Sequence, residues 1–118
     1  MKILVVDDSN GMRDLVKRAV RSSGSGEHEF DEAANGVDAL KIILSDKPDL
    51  VICDWYMPEM SGLALLRAVR ANGSDVKFGV ITADGSDEIL KTANGAGADF
   101  VVRKPFTAQK FSAALEAL

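Results

Sequence analysis

Short runs of apolar residues alternate along the chain with longer segments in which apolar positions recur at helical spacing. The run 3–6 (Ile-Leu-Val-Val) has no polar interruption and is typical of a strand buried on both faces. Further strands are predicted at 49–54, 77–82 and 99–103, and a weaker one, interrupted by acidic residues, at 29–34. Amphipathic segments that predict helices lie between them, at 11–22, 37–45, 63–71, 86–94 and 108–118.

The first of these helices shows how the pattern specifies a segment. Ser9 or Asn10 could cap its first turn, because side-chain oxygens there accept hydrogen bonds from free backbone N–H groups. Its core-facing positions are predicted to be Met12, Leu15, Val16 and Ala19. Regular alternation of strands with such helices predicts an α/β fold: one doubly wound, five-stranded parallel sheet with right-handed crossovers and helices on both faces.

Composition narrows the classes of function. The length of 118 residues suits one domain, and the net charge of −4 argues against a nucleic-acid partner. No stretch resembles a secretion signal or a membrane span, so a cytoplasmic location without membrane contact is predicted. Cys53 is the only cysteine, which excludes an intrachain disulfide and a cysteine-based zinc cluster.

Polar residues of a particular chemistry follow the predicted strands. Asp7 and Asp8 follow the first strand, Asp54 ends the third, Thr82 ends the fourth, and Lys104 follows the fifth. Because sites in open parallel sheets lie at the carboxyl ends of strands, these side chains are expected to converge. Three crowded carboxylates would raise one another's pKa, and a divalent cation would relieve this repulsion. Oxygen ligands of this kind suit Mg²⁺.

This set of side chains is suited to phosphoryl transfer. A carboxylate such as that of Asp54 can act as a nucleophile and form an acyl phosphate, while a metal ion neutralises the transferring oxygens. The hydroxyl of Thr82 could then donate a hydrogen bond to the phosphoryl group, and the ammonium of Lys104 could pair with another of its oxygens. Trp55, beside the acceptor, is expected to be a partly exposed loop aromatic that reports on the site optically.

Four segments together resemble response-regulator receiver domains, and most closely the stand-alone chemotaxis regulators of the CheY type. They are 5–9 (VVDDS), 54–62 (DWYMPEMSG), 82–83 (TA) and 104–106 (KPF). The resemblance covers essentially the whole chain, which implies one receiver domain over 1–118. It also implies a flavodoxin-like sheet with strand order 2-1-3-4-5.

The resemblance also implies a role for each site residue. Asp54 would be the phosphorylated residue, and Asp8 and Asp54 would bind Mg²⁺ directly. The backbone carbonyl of Tyr56 would be the third protein ligand, and Asp7 would act mainly through metal-bound water. Thr82 and Lys104 would bind the phosphoryl group, and the donor would be a phosphohistidine on a sensor histidine kinase.

The chain departs from the family pattern near the lysine. An aromatic switch residue normally lies three positions before it, but this position is Val101, and Phe100 lies four before. Either a β-bulge returns Phe100 to the switch position or the aromatic switch is absent; of the two, the bulge is favoured. Arg103 is also unusual, and it is either part of a partner surface or a solvated edge residue.

Two further positions concern the lifetime of the phosphoryl group. Tyr56 lies two residues after Asp54, and Asp84 lies two after Thr82. In the family these positions flank the path of the water that attacks the acyl phosphate. The hypothesis is that bulky Tyr56 slows self-dephosphorylation.

The function predicted from the sequence is a signalling switch, not an enzyme acting on an external substrate. Phosphorylation would change the surface of the fourth helix, fifth strand and fifth helix, where a downstream target protein would bind. The end of the chain at Leu118 suggests output through a separate protein, in chemotaxis or a phosphorelay. The alternatives are a receiver fragment of a longer transcriptional or enzymatic regulator, a receiver that works only by binding, and a small aspartyl-phosphate phosphohydrolase. The last would need a second acid where Tyr56 stands.

Overall fold

Five parallel strands form the centre of the structure, a computed structural model that describes residues 1–118. The strands are β1 (Lys2–Val6), β2 (Glu29–Ala33), β3 (Leu50–Asp54), β4 (Lys77–Thr82) and β5 (Phe100–Arg103). Their order in the sheet is β2-β1-β3-β4-β5, so the predicted strand order is confirmed. Every residue of β3 is buried, as expected for the central strand of a sheet covered on both faces.

Five helices connect and cover the strands: α1 (Asn10–Ser22), α2 (Gly36–Asp46), α3 (Gly62–Ala71), α4 (Asp87–Gly95) and α5 (Ala108–Glu116). Each begins after a residue whose side-chain oxygen accepts a hydrogen bond from a backbone N–H of the first turn. These capping residues are Ser9, Asn35, Ser61, Ser86 and Thr107. The caps explain why the helices begin where they do, because they satisfy N–H groups that have no partner within the helix. No helix is both long enough and apolar enough to cross a bilayer.

The core consists of two apolar layers, one on each face of the sheet. Alternate residues of β1 divide between them: Leu4 and Val6 pack towards α2, α3 and α4, whereas Ile3 and Val5 pack towards α1 and α5. The predicted coverage of both faces is therefore confirmed. One detail of α1 differs from expectation, because its buried residues are Arg13, Val16 and Val20, and Leu15 is 49% exposed.

The register of β5 contradicts the predicted bulge. Gly79 pairs with Phe100, and the next three residues of β4 pair in turn with the next three of β5, ending at Thr82 and Arg103. No residue is inserted, so the alternation of a regular strand places Phe100 on the face of α1 and α5 and Val101 on the opposite face. The Phe100 ring covers Gly79 so closely that a Cβ there would lie 2.0 Å from its Cζ. Phe100 therefore does not occupy the switch position.

Candidate functional site

Three carboxylates meet at the carboxyl edge of the sheet. Asp7 and Asp8 follow β1, and Asp54 is the last residue of β3, the neighbour with which β1 pairs up to Val6 and Cys53. One carboxylate oxygen from each acid lies within 4.8 Å of the others. Asp7 and Asp54 are only 4% and 8% exposed, whereas Asp8 is open to solvent. Parallel pairing of β1 with β3 brings these acids together although Asp8 and Asp54 are 46 positions apart in the chain.

The protonation of Asp7 reflects this crowding. The pKa of its carboxyl group is raised to about 6, mainly by burial and in smaller part by the Asp54 charge and the hydrogen bond with Asp8. The Ser9 N–H, 2.9 Å from Asp7 Oδ1, and the Lys104 charge act in the opposite direction. Removing water from a charged carboxylate is unfavourable, and a second negative charge nearby adds to that cost. The cluster is therefore a place where a cation would be stabilising.

The donor set fits a hard divalent cation. All available side-chain ligands are carboxylate oxygens, which suit Mg²⁺, and the exposed position of Asp8 leaves one side of the cluster open to the waters that Mg²⁺ retains. The backbone after Asp54 offers a further oxygen. The Trp55 carbonyl is occupied, because it accepts from the Gly62 N–H at 2.9 Å. The Tyr56 carbonyl accepts no hydrogen bond from a loop or turn backbone N–H, so it is the available oxygen.

Lys104 supplies the positive charge nearest the acids. Its Nζ lies 3.3 Å from both Oδ1 and Oδ2 of Asp54, and its side chain is 25% exposed. Its backbone N–H donates to the Thr82 carbonyl at 2.8 Å, which extends the pairing of β4 with β5 by one residue and fixes the start of the side chain. The peptide bond from Lys104 to Pro105 is cis. The lysine thus approaches Asp54 from the β5 side, whereas Asp7 and Asp8 lie on its β1 side.

Thr82 is fully buried, and its hydroxyl is engaged with the loop that follows β4. The Oγ1 accepts from the Asp84 N–H at 3.1 Å and donates to the Asp84 carbonyl at 3.2 Å. Asp84 is in turn held by its own Oδ1, which accepts from the Ser86 N–H at 2.9 Å. The side chain that the sequence places at this edge therefore also determines the path of the β4–α4 loop.

The predicted switch region has no aromatic residue at the expected place. Val101 lies three residues before Lys104 and packs, partly buried, against the layer of α2, α3 and α4. Arg103 is exposed, and its aliphatic chain crosses the β4–α4 loop at Gly85, where a Cβ would lie 2.7 Å from Arg103 Cδ.

Trp55 also differs from expectation, since it is 6% exposed and belongs to the core. Its N–H donates to the Ile81 carbonyl at 2.8 Å, which extends the pairing of β3 with β4, and strand alternation places its ring in the same layer as Cys53.

One buried charged residue at this edge was not identified from the sequence. Arg13 of α1 is 9% exposed and donates to the Asp7 carbonyl at 2.5 Å, to Glu32 Oε1 at 3.0 Å and to Asn10 Oδ1. Arg13 lies three residues before Val16, which places it on the core-facing stripe of the helix. A charged residue on such a stripe is rarely buried without a partner, and this is the sequence feature from which a role for Arg13 could have been predicted.

An apolar groove lies beside the lysine, between α1 and the loop that leads into α5. Its lining residues are Met12, Leu15, Lys104, Pro105 and Phe106. Leu15 is half exposed there, which accounts for its absence from the core. Lys104 lines this groove and also pairs with Asp54, so an occupant of the groove would lie beside the ion pair of Lys104 with Asp54.

A doubly wound parallel sheet with three acids, a threonine and a lysine at its carboxyl edge is the arrangement that the sequence resemblance predicts for a signalling domain. The chain belongs to such a family: residues 3–116 match the family described as "Response regulator receiver domain". The structural neighbours of the chain include CheY-like receiver domains, so the family expected from the sequence is confirmed.

Curated relatives place the chain among response regulators. It is 36% identical over 118 residues to the response regulator MprA of Mycobacterium avium (strain 104), covering 100% of this chain and 50% of that protein. The same values hold for MprA of Mycobacterium tuberculosis (strain H37Rv). The chain thus spans about half the length of these relatives.

Solved structures of similar size share the fold closely. The chemotaxis response regulator CheY4 of Vibrio cholerae is 29% identical, with a TM-score of 0.86 over 99% of this chain and 98% of that one. The receiver domain of the Francisella response regulator 1452 is 25% identical, with a TM-score of 0.86 over 98% of this chain and 93% of that one.

Proposed function

We propose that residues 1–118 form one receiver domain that accepts a phosphoryl group on Asp54 from the phosphohistidine of a sensor kinase. The observation that carries this proposal is the position of the Asp54 carboxylate, between the carboxylates of Asp7 and Asp8 on one side and Lys104 Nζ on the other. A nucleophilic oxygen held between a cation site and an ammonium group suits attack on a phosphoryl group, whose oxygens carry negative charge.

In the proposed reaction an Asp54 oxygen forms a bond to phosphorus while the bond from phosphorus to the histidine nitrogen breaks. The imidazole leaves with the electron pair and takes up a proton, and Asp54 becomes an acyl phosphate. Water later attacks that phosphorus and releases inorganic phosphate, which restores the carboxylate. Asp8, Asp54 and the Tyr56 carbonyl would hold Mg²⁺ directly, with Asp7 acting through bound water. When bound, this ion supplies neutralisation of the phosphoryl oxygens.

Lys104 and Thr82 hold the product in this proposal. The Lys104 ammonium, already 3.3 Å from Asp54, would pair with one phosphoryl oxygen. The Thr82 hydroxyl would donate to another, and to do so it must stop donating to the Asp84 carbonyl. Phosphorylation would therefore change a hydrogen bond that now holds the β4–α4 loop.

That change offers a route to the surface without an aromatic switch. The loop contacts Arg103 at Gly85, and Arg103 lies on β5 next to the groove formed with Lys110, Ala113 and Ala114 of α5. The proposed target protein binds this face of α4, β5 and α5. The kinase would occupy the other groove, lined by Met12, Leu15 and Phe106, because Lys104, which pairs with Asp54, also lines it. The domain would work in the cytoplasm as a switch, turning over only its own phosphoryl group.

Two forms of output are supported by different comparisons. The similarity in fold to CheY4 supports a regulator of chemotaxis or a phosphorelay that acts as a stand-alone domain, which is our preferred proposal. The relatives twice as long support the alternative, in which this receiver belongs to a longer transcriptional or enzymatic regulator. A phosphohydrolase is less well supported, because exposed Tyr56 occupies the position where a second acid would be required.

The test is incubation of the protein with Mg²⁺ and acetyl phosphate, followed by intact mass measurement. One phosphoryl group per chain is expected on the parent and none on Asp54→Asn. Beryllofluoride with Mg²⁺ should change the fluorescence of Trp55, which lies beside the acceptor in the chain. Equal phosphoryl uptake by Asp54→Asn and the parent would contradict the proposal, and Asp99→Asn serves as a control acid remote from the site.

A further inference from the structure

The peptide that joins Asp7 to Asp8 is held more firmly than its place in a loop requires. The Asp7 N–H donates to the Ala33 carbonyl at 3.1 Å, which continues the pairing of β1 with β2 by one residue. The Asp7 carbonyl accepts from Arg13 Nη1 at 2.5 Å, and the Asp7 carboxylate accepts from the Ser9 N–H. Of these three contacts, only that of Arg13 fixes the plane of the peptide between the two acids.

Arg13 is itself fixed from several directions. Its Nε lies 3.0 Å from Glu32 Oε1, and its Nη2 donates to Asn10 Oδ1, so Asp7, Asn10 and Glu32 use all three guanidinium nitrogens. Glu32 belongs to β2 and is also 3.2 Å from Lys17 Nζ. Only arginine offers several donors in a rigid planar fork, so a lysine of equal charge could not make this set of contacts.

The contact with Asp7 serves geometry more than charge balance. The Arg13 charge is paired with Glu32, whose pKa is held below its usual range by hydrogen bonds from Arg13 and Lys17 despite the opposing effect of burial. Arg13 Nη1 contacts the backbone carbonyl of Asp7, and no ion pair joins Arg13 to the Asp7 carboxylate. What Arg13 contributes at Asp7 is a donor at the carbonyl, and this restrains the backbone from which both carboxylates extend.

We propose that Arg13 is a positioning residue for Mg²⁺ binding: by fixing the peptide between Asp7 and Asp8, it sets the directions in which the two carboxylates meet the ion. The inference rests on the proposed function, because it concerns the same metal site. Groups that orient metal ligands from outside the coordination shell commonly change metal affinity about 10–100-fold when they are removed. Arg13 connects the site to β2, a strand that carries none of its acids.

The experiment uses Mg²⁺ alone as the probe, titrated against the parent, Arg13→Met and Arg13→Lys, with Trp55 fluorescence and calorimetry as readouts. Arg13→Met is expected to weaken Mg²⁺ binding roughly 10-fold or more, and Arg13→Lys several-fold, because the fork is lost while the charge is kept. The amide resonance of Asp8, which belongs to the restrained peptide, should shift in both variants.

Two controls separate positioning from general loss of structure. Lys17→Met removes the other partner of Glu32 without touching Asp7. Arg70→Met removes a different part-buried arginine, which holds carbonyls at the opposite edge of the sheet and should cost stability without affecting the metal site. Both controls are expected to keep Mg²⁺ affinity within about 2-fold of the parent, as for variants that leave the ligands and their supports intact.

The outcomes distinguish this inference from the proposed function. If the parent binds Mg²⁺ and Arg13→Lys binds it equally well with an unchanged Asp8 resonance, Arg13 has no positioning role, although phosphorylation of Asp54 still stands. If Arg70→Met weakens Mg²⁺ binding as much as Arg13→Met does, the effect is one of stability, and the inference is wrong. Absence of Mg²⁺ binding to the parent contradicts the proposed function itself. Arg13→Lys decides the question if Arg13→Met does not fold.

Discussion

Acidic side chains are paired with cationic residues to different extents at the two edges of the parallel sheet, where the strands begin (the amino edge) and where they end (the carboxyl edge). At the amino edge, Asp99 Oδ2 accepts from the Phe78 N–H at 2.8 Å, and the carboxylate lies 3.4 Å from Arg70 Nη2 and 3.8 Å from Lys77 Nζ. At the carboxyl edge, three carboxylates lie within 4.8 Å of one another and Lys104 is the cation in contact with Asp54. One edge has its charge compensated by the chain, and the other requires a ligand to compensate it.

The same contrast holds for the arginines of the two edges. Arg70 donates to the carbonyls of Ser74, Val76 and Gly97, and thereby holds the loops that lead into β4 and β5. Arg13 donates to one carbonyl, that of Asp7, which lies between the acids of the site. The same side-chain chemistry therefore stabilises loops at one edge and orients ligands at the other. Stability and function are thus assigned to separate ends of the sheet, which substitutions at matched positions can test.

The largest effect expected from this contrast is on phosphoryl uptake by paired acid substitutions. Asp54→Asn should abolish the adduct formed with Mg²⁺ and acetyl phosphate, because an amide is not a nucleophile for this reaction. Asp99→Asn should retain full uptake but lose about 1 kcal/mol of unfolding free energy, since the amide no longer pairs with Arg70 and Lys77. Intact mass and urea unfolding measure the two effects. Loss of uptake in Asp99→Asn would break the division between the edges.

A second pair compares the lysines. Lys104→Met is expected to slow phosphoryl uptake about 10–100-fold, the equivalent of a charge-assisted hydrogen bond worth roughly 1.5–3 kcal/mol. Lys77→Met, at an ion pair of 3.8 Å whose lysine side chain is 53% exposed, should leave the rate within about 2-fold of the parent. Rates of adduct formation at fixed acetyl phosphate and Mg²⁺ provide the comparison. Equal rates for Lys104→Met and the parent would remove Lys104 from the reaction.

Much of this architecture is predictable from the sequence because it depends on short-range patterns. Apolar runs locate the strands other than the polar edge strand β2. The rule that strands carry sites at their carboxyl ends brings Asp7, Asp54 and Thr82 to one edge before any coordinates are known. Side-chain oxygens at helix starts locate the caps. These features can be predicted from the period of the hydrophobic pattern and from the parallel topology that it implies.

Other features depend on register and on distant partners, which the pattern does not contain. Whether Phe100 or Val101 lies at the switch position depends on pairing with β4, and an unbroken register excluded the bulge. The role of Arg13 depends on Glu32, a residue of β2 that is 19 positions away in the chain. The burial of Trp55 depends on the continuation of the β3–β4 pairing beyond Asp54, through its hydrogen bond to Ile81. Each of these is decided by three-dimensional packing that the local sequence leaves open.

A third prediction concerns the dependence of stability on pH in the absence of metal. The folded pKa of Asp7 is about 6, above its ordinary value, so between these values the folded state holds more protons than the unfolded state. Stability should therefore fall as pH rises from about 4.5 to 7, by roughly 2 kcal/mol, since a pKa unit corresponds to about 1.4 kcal/mol. Urea unfolding at a series of pH values measures it.

Asp7→Asn isolates this effect from other titrating groups. His28, whose pKa is lowered by burial and by the N-terminal ammonium, contributes stability in the opposite direction, which is gained as pH rises. The difference between parent and Asp7→Asn cancels that contribution and should retain the fall. Saturating Mg²⁺ should suppress the fall in the parent, because a bound cation favours ionised carboxylates. A parent curve parallel to that of Asp7→Asn would show that crowding at the carboxyl edge has no energetic cost.

The smallest expected effect concerns access of water to the carboxyl edge. Tyr56 lies two residues after Asp54, is 62% exposed and forms no part of the core. Tyr56→Asn should shorten the phosphoryl half-life about 3–10-fold, equivalent to roughly 1 kcal/mol in the barrier to hydrolysis, because less bulk obstructs the attacking water. Release of inorganic phosphate after removal of excess donor gives the half-life.

Tyr56→Phe separates bulk from hydrogen bonding, because it removes the hydroxyl and keeps the ring. It is expected to preserve the parent half-life. If Phe shortens the half-life as much as Asn does, the hydroxyl and not the ring protects the acyl phosphate. If Asn leaves it unchanged, Tyr56 has no part in the lifetime, and the exposed side of the cluster at Asp8 becomes the expected path of water. Either result would show which part of the open edge controls how long the signal lasts.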